Sequence, residues 1–87
     1  MKSNKKSFII KPRVSEKAIM AIESQNTLEF EVSANVTKNQ IKQKVEELFD
    51  VKVEKIRTSI LKNRKIAYVK LNKNNLAIDI ATKLGMI

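Results

Sequence analysis

Eighty-seven residues carry 18 Lys and Arg against nine Asp and Glu, a formal charge of +9, with no His and no Cys. The length allows one domain with one modest core, and the missing imidazoles and thiols exclude disulfides, thiolate metal sites and most nucleophilic or acid–base chemistry near neutral pH. So large a cationic surplus on a small chain points to a polyanion as partner, nucleic acid first.

Met1 to Lys6 has the positive start of a signal peptide, but only Phe8-Ile9-Ile10 follows before Lys11-Pro12-Arg13, too short for its apolar segment. No run approaches the roughly 20 apolar residues of a membrane span. A cytoplasmic protein is expected, with residues 1–7 a flexible basic arm. Phe8-Ile9-Ile10 reads as a brief strand stopped by Pro12. Ser15 then caps a short helix, with Val14 and Ile19 placed for a hydrophobic staple and Ala18, Ile19 and Ile22 as its stripe. That stripe fades by Gln25-Asn26.

Thr27 to Ser33 alternates strictly, so Leu28, Phe30 and Val32 face a core while Glu29 and Glu31 face out. Thr37-Lys38-Asn39-Gln40 fits a capping box that opens a second helix, stapled by Val36 and Ile41, with Ile41, Val45, Leu48 and Phe49 as its apolar face. Its charges oppose the macrodipole: Lys38, Lys42 and Lys44 crowd the positive end, and Glu46, Glu47 and Asp50 the negative end. Lysines so placed serve an outside anion, and Lys38 and Lys42 share one face.

Two strands follow, Val51–Ile60 and Lys65–Asn72, joined by a tight basic turn at Lys62-Asn63-Arg64. In the second, Ala67, Val69 and Leu71 point inward and Ile66, Tyr68 and Lys70 outward. The first changes phase between Val53 and Ile56, which a bulge near Glu54-Lys55 reconciles. Asn74 or Asn75 is expected to cap a last helix from about Leu76 to Leu84, and Gly85 to end it. The order implies an α+β fold: a small antiparallel sheet of three to four strands with about three helices packed on it, in one domain spanning 1–87.

Charge along the chain is segregated. Residues 1–15 and 55–78 hold Lys and Arg with no acid until Asp79, and the acids cluster between. Two all-basic blocks suggest an electrostatic footprint. Enzyme chemistry finds little support. Glu46 and Glu47 diverge on a helix, Glu29 and Glu31 sit on an outward strand face, and Ser15 has no base; solubility and capping explain them. A Gly-rich phosphate loop is absent. Lys65–Leu71 faintly resembles an aromatic RNA-recognition strand, but one aromatic, Tyr68, stands where that module stacks two or three bases. Few aromatics and many lysines favour phosphate contacts.

Ile10-Lys11-Pro12-Arg13-Val14-Ser15-Glu16-Lys17-Ala18 resembles the opening signature of the twenty-third large-subunit ribosomal protein family. Asn26-Thr27-Leu28, Ala34 to Lys42, Val45 to Val53 and Lys65 to Leu71 resemble its later blocks in order. The resemblance implies a structural protein bound to large-subunit ribosomal RNA beside the nascent-peptide exit. It further implies contact with the twenty-ninth protein of that subunit, and a docking site for the signal recognition particle or nascent-chain chaperones. Glu16 matches the family's chaperone-docking position, although as the first residue of a helix it also has a structural explanation. Leu61–Lys65 leaves no room for the long hairpin of bacterial members, so the chain is similar to the compact archaeal type. Arg57 stands where relatives often carry Asn.

Expected RNA contacts are Lys11, Arg13, Lys17, Lys38, Lys42, Arg57, Lys62, Arg64, Lys65, Tyr68 and Lys70, with Lys2, Lys5 and Lys6 ordering on RNA. No cofactor, metal, small-molecule substrate or membrane partner is expected. The alternative is a free-standing RNA-binding regulator using the sheet face around Tyr68. A binder of acidic lipid ranks last, because neither well-marked helix has an exposed bulky apolar face.

Overall fold

The computed structural model describes residues 10–85. Over them the chain runs β1 (Ile10–Pro12), α1 (Glu16–Gln25), β2 (Thr27–Val32), α2 (Lys38–Phe49), β3 (Val53–Leu61), β4 (Arg64–Leu71) and α3 (Ala77–Lys83). The strands form one antiparallel sheet in the order β1-β2-β4-β3, giving the α+β architecture expected. The basic arm, with Lys2, Lys5 and Lys6, lies outside the described residues, as do Phe8 and Ile9. Pro12 does not stop β1 but closes it, paired with Phe30. An edge strand tolerates a residue that cannot donate to a ladder.

Alternation sets the layers. Leu28, Phe30 and Val32 of β2 and Ala67, Val69 and Leu71 of β4 turn to one face, where Ile22, Ile41, Val45 and Ile80 of the three helices cover them. The Phe30 and Phe49 rings stack there with centroids 6.3 Å apart. Each such large side chain contributes about 1.5–3 kcal/mol by leaving water. Every described helix contributes to this one core, and none packs on the other face of the sheet.

The helix ends follow capping chemistry, with three departures. Ser15 Oγ accepts from Ala18 N–H at 3.1 Å, and Thr37 and Gln40 close a full capping box over buried Val36 and Ile41. Val14, by contrast, is exposed, so α1 has its cap without its staple; Leu48 is exposed too, outside the apolar face expected for it. Neither Asn74 nor Asn75 caps α3. Its N-cap is Leu76, which offers no side-chain bond. Asn26 substitutes across the fold, its Oδ1 accepting from Ala77 N–H at 2.7 Å. Asn75 is occupied elsewhere, its Oδ1 accepting from Lys52 N–H at 2.8 Å.

Glu46 is structural rather than solubilising. Its Oε2 accepts from Val53 N–H at 2.9 Å, tying α2 to the start of β3. The register then slips between Val53 and Lys55, the expected bulge. Lys62 and Asn63 at φ 50° and 66° form a two-residue hairpin turn of the type whose twist suits the strands. Gly85, at φ 75°, follows the end of α3 in the left-handed region that glycine tolerates.

Candidate nucleic-acid interface

The pleat that buries β2 and β4 on one side lays their other residues in rows across the uncovered side. One row pairs Lys11 with Glu31, Glu31 with Ile66, and Ile66 with Ser59. The next pairs Glu29 with Tyr68 and Tyr68 with Arg57, with Arg13 docked beside it through its N–H to Glu29 O at 2.9 Å. The third pairs Thr27 with Lys70 and Lys70 with Lys55, and Arg64 stands at the hairpin end opposite Leu61.

Charge divides this face into two halves. Arg13 approaches the Glu29 carboxylate at 3.6 Å, and Arg64 approaches Glu31 at 3.6 Å. The two glutamates take the outward side, as their alternation demands, but they are not solvated: Glu29 is buried and Glu31 half-buried. Toward β3 the balance changes. Lys55 lies directly opposite Lys70, and among the described residues no carboxylate comes within ion-pair distance of Lys55, Lys70 or Arg57. Like charges across a ladder destabilise a sheet, so this corner is arranged against the needs of the free fold. The Arg57 guanidinium lies 5.6 Å from the Tyr68 ring centroid, covering one face of the half-buried ring.

The open face therefore gathers Lys11, Arg13, Arg57, Tyr68 and Lys70, with Lys62 and Arg64 at its hairpin end. Four expected contacts lie elsewhere. Lys17 on α1 and Lys38 and Lys42 on α2 are exposed on the helix layer. Lys65 points to the core side, where its ammonium donates to Val36 O at 2.6 Å and Ala34 O at 3.4 Å. Glu16 is exposed as the first residue of α1. The cationic corner adds Lys55 and Thr27, which sequence reasoning did not single out. The bulge was the available signal: once the phase change turns Ile56 to the core side, both Lys55 and Arg57 must face the other way.

Among the described residues, no cluster of His, Cys, Asp or Glu could hold a metal ion, and no helix is long and apolar enough to cross a membrane. The family model for ribosomal protein L23 matches residues 7–75. The chain is 46% identical to the large ribosomal subunit protein uL23 of Methanothermobacter thermautotrophicus, over 92% of this chain and 94% of that protein. It is 44% identical to the uL23 of Pyrobaculum aerophilum, over 85% of this chain and 93% of that one. With matches of this extent, the chain belongs to the ribosomal protein L23 family, whose members are structural ribosomal proteins rather than enzymes.

Proposed function

We propose that this chain is a constituent of the large ribosomal subunit in the cytoplasm, and that it holds large-subunit rRNA against two basic surfaces. The first is the open sheet face, where Lys11, Arg57 and Lys70 carry no carboxylate partner at ion-pair distance among the described residues; the second is the exposed lysine face of α2. The uncovered four-strand face with its unneutralised corner is the observation that carries this reading. A polyanion laid there relieves the repulsion between Lys55 and Lys70 and releases its own counterions.

The family resemblance extends the proposal. The site on the ribosome is the rim of the peptide exit, the neighbour is the twenty-ninth protein of the large subunit, and exposed Glu16 belongs to a surface for the signal recognition particle or a nascent-chain chaperone. The two-residue turn at Lys62-Asn63 leaves no extension to line a tunnel. A free-standing regulator that stacks bases on Tyr68 is less well supported, because Arg57 already covers that ring.

Sedimentation of lysate at low and high salt tests the proposal. The chain is expected with large-subunit particles at low salt and partly released at high salt. Its appearance only in the soluble fraction at both overturns the ribosomal reading. Tyr68→Ala is expected to weaken RNA binding less than Lys55→Gln with Lys70→Gln; the reverse order favours the regulator.

A further inference from the structure

Two depressions meet at the cationic corner. One is a cleft of about 200 Å³ on the open face, lined by Thr27, Lys55, Arg57 and Tyr68. The other is a groove of about 540 Å³ between the end of α1 and the start of α3, walled by Ile22, Glu23, Leu76 and Ile78. Gln25 and Lys70 line both, so the two run into one another. The groove is apolar and large enough for a small ligand, and the cleft beside it is cationic. A body that fits both has a flat, weakly polar part joined to an anion. Paired RNA turns its bases inward and offers phosphate and ribose; an unpaired nucleotide offers base and phosphate together.

Leu76 points the same way. It occupies the N-cap of α3, is 53% exposed and makes no side-chain cap bond. Leu ranks among the poorest N-caps, where Ser or Asp is worth about 1 kcal/mol. The free fold gains little from it, since Leu76 stands outside the buried core. Its apolar surface lies instead on the groove. Glu23 and Lys73 also line the trough; the Glu23 carboxylate, as an acceptor only, suits the exocyclic amino group of a base.

We propose that groove and cleft together seat one unpaired RNA nucleotide, its base against Leu76 and Ile78 and its phosphate between Lys55 and Lys70. Glu23 selects an amino-bearing base over uracil. The inference rests on the RNA-binding reading above and adds to it a base-specific seat.

The test titrates the full chain with a short RNA hairpin carrying one bulged adenosine, the same hairpin with a bulged uridine, and its fully paired counterpart. The adenosine bulge is expected to bind about tenfold tighter than the paired hairpin, the gain from burying the face of a base against aliphatic side chains. Leu76→Ser is expected to melt no lower than the parent and to lose that preference, with the paired hairpin bound as before. Lys55→Gln with Lys70→Gln weakens all three RNAs and lowers the salt slope by about 1.4–1.8; Glu23→Gln narrows the gap between adenosine and uridine. Equal binding of bulged and paired RNA by the parent chain overturns the nucleotide seat and leaves the RNA reading intact. No binding to any RNA overturns both. A Leu76→Ser chain that still discriminates the bulge but loses its place on the ribosomal particle assigns the groove to a neighbouring protein, and that also overturns the seat.

Discussion

Asn26 does more for the fold than any other polar side chain described. Its backbone at φ 53° and ψ 39° ends α1 in the left-handed region. Its carboxamide starts α3 through Ala77 N–H and holds Asn75 O at 2.8 Å. Asn26→Gly keeps the backbone geometry and loses the bonds, at about 2 kcal/mol. Asn26→Ala loses both and is expected to cost about 1 kcal/mol more, read from urea midpoints; equal losses would mean that the backbone geometry adds nothing. Lys65 illustrates the same lesson at a basic residue. With its ammonium on Val36 O, Lys65→Met is expected to lose about 1–2 kcal/mol of stability while rRNA affinity stays within about twofold; a large loss of affinity with unchanged stability would return Lys65 to the footprint. Nothing in the sequence marks either role, because both depend on chain segments that only the tertiary fold brings together.

Among the elements, α2 shows the clearest conflict between stability and use. Lys38 stands at the first position after the Thr37 cap, where the helix favours an acid. Lys38→Glu is expected to stabilise the free chain by about 0.3–1 kcal/mol and to weaken rRNA binding; a melting shift without loss of affinity would remove α2 from the interface. The acids at its other end are partly explained by Glu46, which satisfies Val53 N–H. Most of the elements were legible in the sequence. Strict alternation announced β2, the capping box announced α2, and the phase change in β3 announced a bulge. What stayed hidden were partners distant in the chain: a last helix capped from Asn26, and glutamates on the predicted face that are sheltered by Arg13 and Arg64. Of the candidate site, the open-face residues could be grouped from parity alone. That Lys38 and Lys42 fall on the other layer follows from which face of the sheet the helices cover, and alternation does not reveal it.

For the whole molecule, the proposed function places RNA on two sides. Lys38 and Lys42 stand exposed on the helix layer and the Lys55–Lys70 corner on the open face of the sheet, so their phosphate contacts should count independently. Each contact contributes about 0.7–0.9 to the slope of log K against log salt. Lys38→Gln with Lys42→Gln and Lys55→Gln with Lys70→Gln are therefore each expected to lower the slope by about 1.4–1.8, and the quadruple variant by about 2.8–3.6, since distant sites add. Neutral Gln avoids the new repulsion that reversal would bring, so the slope counts lost contacts alone. Binding isotherms of the four chains on one rRNA fragment across a salt series decide the matter. If the second pair of substitutions leaves the slope where the first put it, the RNA engages one side only, and the lysines of the other layer must find their use elsewhere.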